Sequence, residues 1–323
     1  MKAIAYHRYG PPAEVLKLED THQPVVEDHD VLVRVRAAGV NARDWHYVTG
    51  KPYIMRIMGA GLRRPKESVP GRDVAGQVEA VGRKVTRFQP GDEVYGSCDG
   101  ACAEYARAAE DAIVAKPATV TFEQAAAVPL AAFTALQGLR DHGQVQPDQK
   151  VLITGASGGV GTFAVQIAKA FGAHVTAVCS TRNTEMVRSI GADHVIDYAQ
   201  EDFTEGGERY DVIFDLAGNP PLSGCRRSLT RDGTLVMSSG EGGRWFGPMP
   251  RMVGALLRFA ARSQRLRIFT AKESHDDLVQ LTELIATGKV KAVIDRRYPL
   301  SETPDAVRYL EEGHTQGKVV ITV

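Results

Sequence analysis

The feature that most constrains this chain is a glycine-rich turn between an apolar strand and a helix. Residues 155–161 read GASGGVG; they follow the β-branched run Lys150–Thr154, and an apolar helical stretch extends over Val160–Phe171. Such glycines let a ligand approach the backbone closely, and the N-terminus of the helix presents unpaired N–H groups to an anion. A second strand, His174–Cys179, follows at the spacing of a dinucleotide-binding unit. The pattern predicts a pyrophosphate site, although Ala156 replaces the first glycine of the usual triplet. Its expected members are Ala156, Ser157, Gly158, Gly159, Val160 and Gly161.

Strands and helices continue to alternate after this turn. The helix Thr184–Ile190 leads to the strand His194–Ile196, and the strands Tyr210–Asp215 and Gly233–Ser238 flank a helix near Leu222–Leu229. This alternation predicts an α/β fold with a doubly wound parallel sheet.

The two ends of the chain show a different pattern. Up to about residue 118, short β-branched runs such as Val31–Arg36 alternate with glycine and proline, which indicates a β-rich unit. The closing run Lys318–Val323 is expected to rejoin that unit. We therefore expect one domain formed by residues 1–121 and 291–323 and a dinucleotide-binding domain over 122–290.

The end of the second strand predicts which dinucleotide is bound. An acidic residue usually stands there, accepts hydrogen bonds from the ribose 2′-hydroxyl and repels a 2′-phosphate. This chain has Ser180, Thr181 and Arg182 instead, which can donate to a phosphate and pair with its charge. We therefore expect NADPH to be preferred over NADH, with a solvated Arg182 at the start of the next helix as the alternative.

Composition excludes several classes of partner. The 39 Lys and Arg residues balance 39 Asp and Glu residues, whereas a nucleic-acid-binding protein usually has a basic excess. No apolar run is long enough to span a bilayer, so stable membrane insertion is not expected. The chain opens without an apolar leader, and its four cysteines are typical of reduced thiols, which together predict a cytoplasmic location.

Several motifs resemble the medium-chain dehydrogenase/reductase superfamily. VPGRDVAGQVEAVG at 69–82, FQPGDEV at 88–94 and the glycine turn extend this resemblance over essentially the whole chain. Within the superfamily the chain resembles the zinc-independent quinone oxidoreductases, including the branch of the mitochondrial reticulon-interacting oxidoreductase and the plant envelope quinone oxidoreductase homologues. That narrower resemblance rests on GVNARD at 39–44, AAVPLAAFTA at 126–135 and CSTRN at 179–183. The family implies a GroES-like catalytic domain formed by both chain ends, a Rossmann domain between them and a cleft where they meet.

The positions of the zinc ligands argue against a metal. Zinc alcohol dehydrogenases of this superfamily have a cysteine shortly after the Gly-Val pair and a His-Glu pair after the Pro-Gly. Here those positions fall in Asn41–Asp44 and at Arg72 and Asp73. A catalytic zinc needs three protein ligands, so we expect no metal. Without that Lewis acid, the expected hydride acceptors are conjugated, because they spread the arriving charge themselves.

The resemblance also suggests residues at the reacting end. Asn41 is expected to face the nicotinamide and bond the cofactor or the substrate, or else to stabilise its turn. Asp44 is expected to orient neighbouring backbone or Arg72 more than to act in catalysis. Tyr47 and Tyr53 are expected to line the pocket, to donate a proton or simply to pack. Solvent can replace them as the proton source.

Further cofactor contacts are expected along the second half of the chain. The resemblance places Thr134 beneath the nicotinamide, Tyr198 against the adenosine or in the core, and Lys318 near the cofactor or in solvent. Asn219 follows a strand whose carboxyl end meets the cofactor in doubly wound sheets.

Two basic segments have no assigned role. Residues 244–272 contain seven Lys or Arg residues and no acid, with Val253, Leu256, Leu257 and Phe259 at roughly helical spacing. This segment is expected to cap the cleft or form a subunit contact; a contact with an anionic membrane surface is the alternative. Met55–Lys66 is expected to be a loop insertion over the same cleft.

The leading expectation is an NADPH-dependent, metal-free oxidoreductase that passes hydride to a quinone or an α,β-unsaturated carbonyl. The alternatives are an enoyl-thioester or enal reductase and a catalytically vestigial NADPH-binding regulatory protein. Relatives are commonly dimers, so a homodimer is expected.

Overall fold

The computed structural model describes residues 1–238, 245–260, 263–313 and 315–323. The chain divides into two compact units. The first comprises Met1–Phe133, Glu273–Gly288 and Ala292–Val323, and the second comprises Thr134–Lys272 and Lys289–Lys291.

The first unit is built on β-sheets. A hairpin pairs β1 (Lys2–Ala5) with β2 (Lys17–Asp20) around the short helix α1 (Pro12–Val15). The larger sheet contains β3 (Asp30–Val40), β4 (Asp73–Val81), β5 (Glu93–Ser97), β6 (Tyr105–Ala109), β7 (Ile113–Ala115), β14 (Ile294–Pro299) and β15 (Lys318–Thr322). Its order is β14-β15-β3-β4-β5-β7, and β6 also pairs with β3. The antiparallel pairing of β15 with β3 confirms that the C-terminal strand rejoins the first unit.

The second unit contains one parallel sheet. Its strands are β8 (Lys150–Thr154), β9 (His174–Cys179), β10 (His194–Asp197), β11 (Tyr210–Asp215), β12 (Leu229–Met237) and β13 (Arg265–Ile268). The order β10-β9-β8-β11-β12-β13 reverses direction at β8, as in a doubly wound dinucleotide-binding sheet. The α/β fold class with a separate β-rich unit is therefore confirmed.

Helices complete both units. In the first unit they are α2 (Ala42–Thr49), α3 (Phe122–Ala126), α9 (His275–Ala286) and α10 (Thr303–Glu311), and α4 (Pro129–Gln137) begins there and ends in the second. The second unit contains α5 (Gly159–Ala170), α6 (Thr184–Ser189), α7 (Leu222–Ser228) and α8 (Met249–Phe259). No helix among the described residues has the length and apolar character needed to cross a bilayer.

The boundaries between the two units differ from the predicted ones, which lie between residues 121 and 122 and between residues 290 and 291. Residues 122–133 group with the first unit, and two contacts explain this: the Leu130 backbone N–H donates to Asp73, and Gly39 packs under the Ala126 carbonyl. Helix α9 also groups with the first unit, where Thr282 bonds the Tyr95 hydroxyl at 2.7 Å.

Candidate functional site

The glycine turn has the geometry of an anion site. Gly155 takes a left-handed φ of 64°, and α5 starts at Gly159 with Gly158 as its N-cap. A Cβ on Gly161 would lie 2.2 Å from the Gly155 carbonyl oxygen, so only glycine lets the helix pack against the turn. A Cβ on Gly158 would meet only that carbonyl, at 3.4 Å, which leaves its side open to a ligand. The first turn of α5 therefore presents N–H groups without intrahelical partners to that space.

A hydrogen-bonded segment after β9 is attached to this turn. Asn183 is 3% exposed, and its Nδ2 donates to the Ser157 hydroxyl at 2.8 Å and to the Ser180 hydroxyl at 3.1 Å. The three residues predicted to hold a 2′-phosphate thus lie beside the pyrophosphate turn. Arg182 is exposed, whereas the Thr181 hydroxyl donates to the Asp197 carboxylate at 2.6 Å. The Thr181 hydroxyl, which was predicted to donate to a phosphate, is therefore already bonded to Asp197, a contact that the sequence did not predict.

The loop after β11 is held by a buried ion pair. Asp215 is fully buried and accepts from the Thr154 hydroxyl at 2.8 Å, from the Gly218 N–H at 2.9 Å and from Arg251 Nη2 at 2.6 Å. A Cβ on Gly155 would lie 3.3 Å from the Ala217 nitrogen, so this loop packs on the glycine turn. Asp215 and Arg251 thereby connect α8 to the carboxyl end of β11, next to the predicted cofactor site. Neither residue was predicted to belong to that site.

A second buried network lies in the first unit around Lys318. The Lys318 side chain is 3% exposed, and its Nζ donates to the Val40 carbonyl at 3.1 Å and to Asn41 Oδ1. The same Nζ lies 3.6 Å from Asp73 Oδ2, and Asn41 Nδ2 donates to that oxygen at 2.9 Å. The sequence alternative of a solvated Lys318 is therefore wrong, and both ends of the Asn41 amide already have partners.

Asp44 lies beside this network with one oxygen unbonded. Its Oδ2 accepts from the Asn41 backbone N–H at 2.8 Å, while its buried Oδ1 has no hydrogen-bond partner. Burial raises the pKa of the Asp44 carboxyl to about 6. Burial also raises the pKa of Asp73 above its ordinary value and lowers that of Lys318, and in each case the opposite charge limits the shift. Asp44 orients backbone as expected, but Arg72 does not join it, since Arg72 pairs with Asp99 and Glu273.

The two candidate tyrosines stack on arginines. The Arg43 guanidinium lies 3.8 Å from the centre of the Tyr47 ring, and the Arg56 guanidinium lies 4.8 Å from that of Tyr53. Both residues are half-buried. Their proposed role in proton donation stays a prediction.

The remaining predicted cofactor residues are spread over the second unit. Thr134 is partly buried on α4, and Asn219 is exposed in the loop after β11. Tyr198, directly after β10, is 65% exposed, so the alternative that it packs in the core is wrong. Its position near the adenosine end stays a prediction.

The donor set around Asn41 does not fit a zinc ion. The side chains that converge there are two carboxylates, an amide and an ammonium, and the Lys318 ammonium already neutralises Asp73. A divalent cation at Asp73 would be repelled by that ammonium and would lack the thiolate and imidazole ligands that zinc prefers. Among the described residues, no three His, Cys, Asp or Glu side chains form a group that could hold a metal.

Comparisons with known proteins agree with this geometry. Residues 27–132 match the model of the alcohol dehydrogenase GroES-like domain, and 190–321 match that of a zinc-binding dehydrogenase. A chloroplastic quinone-oxidoreductase homologue of Spinacia oleracea is 34% identical over 99% of this chain and 98% of its own length. A chloroplastic NADPH-dependent alkenal/one oxidoreductase of Arabidopsis thaliana is 35% identical over 99% of this chain and 79% of its own. The solved quinone oxidoreductase of Coxiella burnetii superposes with a TM-score of 0.88 at 31% identity, covering 100% of this chain and 99% of that one.

The relative and the solved structure match over both units, and the GroES-like domain model matches within the first. The chain belongs to the medium-chain dehydrogenase/reductase superfamily and, within it, to the quinone oxidoreductase-like family.

Proposed function

We propose that this protein is an NADPH-dependent oxidoreductase that reduces quinones or α,β-unsaturated carbonyls without a metal. The observation that carries the proposal is the buried Lys318 ammonium, which pairs with Asp73 where a metal ligand set would otherwise stand. The names of the relatives, quinone oxidoreductase and NADPH-dependent alkenal/one oxidoreductase, support the same assignment.

The second unit supplies the cofactor contacts in this proposal. The Gly158 N–H donates to the Gly155 carbonyl, so the N–H groups of Ser157, Gly159, Val160 and Gly161 would hold the pyrophosphate. Ser180 and Arg182 would contact the 2′-phosphate. When bound, NADPH supplies the hydride. Asn183 holds Ser157 and Ser180 together, so a single buried amide positions both phosphate contacts.

The first unit supplies the proton and the positioning. Lys318 and Asp73 fix the Asn41 amide, so Asn41 acts by holding the start of α2, which carries Asp44 and Tyr47. A carboxyl with a pKa of about 6, as for Asp44, can hold or release a proton near neutral pH. Asp44 is 3% exposed and its Oδ2 accepts from the Asn41 backbone N–H, so we assign it to positioning the start of α2 and leave proton donation to solvent and the tyrosines.

The test is to follow NADPH oxidation by the purified protein with 1,4-quinones, 2-alkenals and simple alcohols or ketones. Turnover with the conjugated acceptors and little with simple ketones is expected. Turnover confined to simple alcohols and ketones, or one tightly bound zinc per chain in a metal analysis, would refute the proposal.

An enal or enoyl-thioester reductase is the second candidate, favoured by the likeness to the alkenal/one oxidoreductase. Adding a 2-enoyl thioester to the same panel separates the two, because a thioester reductase would turn over that substrate faster than any quinone. Tight NADPH binding with no turnover of any acceptor would instead support a regulatory protein.

The homodimer and the cytoplasmic location are also proposed here. The edge strand β13 has one neighbour in the sheet, which leaves backbone groups for a second copy to pair with. Light scattering would measure the molecular mass and so test the homodimer.

All four cysteines are buried and free, which supports a location in a reducing compartment such as the cytoplasm. Cell fractionation tests this location.

A further inference from the structure

Two segments combine positive charge with exposed apolar side chains and contain no acidic residue. Residues 45–66 carry five Lys or Arg residues, and residues 244–272 carry seven, in a chain whose net charge is zero. Thirteen large hydrophobic side chains are exposed among the described residues, and nine of them lie in these two segments. Exposed apolar groups are normally scattered, so this concentration marks two binding surfaces.

The first surface, the loop patch, consists of Ile57, Met58 and Leu62, which are 72%, 76% and 67% exposed, with Arg63, Arg64 and Lys66 beside them. Its backbone is held from beneath, since the Tyr9 hydroxyl donates to the Ala60 carbonyl at 2.8 Å and Arg56 Nε donates to the Gly50 carbonyl at 2.9 Å. The apolar side chains therefore point outward from an anchored loop.

The second surface, the helix patch, lies on α8 and the turn before it. Ala255 and Phe259 bury one side of α8 in the core, so another side faces outward. Met249, Val253, Leu256 and Leu257 follow each other on that outer side at the i, i+4, i+7, i+8 spacing of a continuous stripe. Trp245 and Phe246, 66% and 56% exposed, extend it, and the exposed cations are Arg258, Arg265, Arg267 and Lys272. Arg244 and Arg262 of the same segment lie outside the described residues.

We propose that the loop patch and the helix patch each bind the surface of an anionic lipid bilayer. Apolar side chains with an aromatic pair, surrounded by cations and free of acids, match the headgroup boundary of such a membrane, where the apolar groups enter the acyl region and the cations meet lipid phosphates. α8 has 11 residues, too few to span a bilayer, so it lies along the surface. At the loop patch and on α8, charge favours this occupant over a second copy of the chain, because two copies would bring like charges together. The edge strand β13, which carries Arg265 and Arg267, is the element proposed above for subunit pairing. The proposal does not depend on the reaction proposed above.

The test is flotation of the full chain with vesicles of phosphatidylcholine alone or with about one third phosphatidylglycerol, at about 0.05 M and about 0.5 M NaCl. Binding to the anionic vesicles that weakens at high salt is expected. Leu256→Gln/Leu257→Gln and Ile57→Gln/Met58→Gln should each lower the partition coefficient about tenfold. The matched control Leu18→Gln/Val25→Gln changes two exposed residues outside both patches, 46% and 79% exposed, and should bind as the wild type does. Circular dichroism and the Tm confirm that each variant is folded.

Absence of binding to anionic vesicles, equal binding to both vesicle types, or an equal loss in the control would overturn the proposal. Light scattering gives the remaining outcome: if Leu256→Gln/Leu257→Gln lowers the molecular mass and leaves vesicle binding unchanged, the helix patch is a subunit contact and the proposal fails for it.

Discussion

Replacing Lys318 by methionine removes the cation from the buried network of the first unit. Methionine has nearly the same length, so the change leaves little cavity, but it leaves the fully buried Asp73 carboxylate without its counter-ion. Removing one partner of a buried pair costs about 3–5 kcal/mol. Two hydrogen bonds to Asp73 survive, from Asn41 Nδ2 and from the Leu130 N–H, so the lower end, about 3 kcal/mol at pH 7, is expected.

The cost should depend on pH in a defined direction. Without the ammonium, the pKa of Asp73, already raised by burial, rises further, and the stability linked to such a group is lost as pH rises through its folded pKa. The difference between Lys318→Met and the wild type should therefore shrink at acid pH, where Asp73 takes up a proton. Lys318→Met/Asp73→Asn removes both charges of the pair and should recover most of the loss.

The assay is urea unfolding followed by tryptophan fluorescence in a Trp245→Phe background, which leaves Trp45 as the only tryptophan and so reports the first unit. Lys17→Met, at an exposed lysine of the same unit, is the control and should cost little. A loss for Lys318→Met no greater than that of the control, or a double variant as unstable as the single one, would refute the reasoning.

Three further predictions concern the cofactor and the second buried acid. Arg182→Ala should raise the KM for NADPH about tenfold or more and change that for NADH little, because only NADPH has the 2′-phosphate; equal KM changes would remove Arg182 from the site. Gly161→Val should disrupt both stability and NADPH binding, since its Cβ would lie 2.2 Å from a carbonyl oxygen, whereas Gly158→Ala should weaken NADPH binding and keep the Tm. The free energy of unfolding of Asp44→Asn should rise relative to that of the wild type as pH increases from 4 to 7, by up to roughly 3 kcal/mol. The reason is that the pKa of Asp44 is raised to about 6, so ionisation of the buried carboxyl destabilises the folded wild type. A pH-independent difference between the two proteins in urea unfolding would contradict this.

The sequence predicted the second unit closely. The strands Lys150–Thr154, His174–Cys179 and Tyr210–Asp215 have the predicted bounds, because each is a β-branched run closed by turn residues. Pro129 begins a new helix, α4, a position at which the fixed φ of proline is tolerated. The domain boundary was less predictable, since residues 122–133 have an ordinary helical pattern and only their contacts with Asp73 and Gly39 assign them to the first unit.

The polar networks were beyond the sequence for a different reason. Lysine is normally a surface residue, and nothing near Lys318 in the chain shows that Asp73 and Asn41 will surround it after β15 pairs with β3. The pairs Thr181–Asp197 and Asp215–Arg251 likewise join residues that only the order of the parallel sheet brings together. The one available signal for Asn183 was its place in CSTRN, which was used only for family resemblance.

The Lys318 ammonium differs from a catalytic metal in the way its bonding capacity is used. A catalytic zinc keeps one coordination position open for a substrate oxygen. Lys318 Nζ donates to the Val40 carbonyl and to Asn41 Oδ1 and lies 3.6 Å from Asp73 Oδ2, so this ammonium is engaged by groups of the first unit and offers no open position like that of a catalytic zinc. Negative charge that develops on an acceptor oxygen must then be spread within the acceptor itself, as in a quinone or an enone, and be met by weaker donors such as a tyrosine hydroxyl or water. Because this network engages the Lys318 ammonium inside the first unit, we propose conjugated carbonyls as the substrate class.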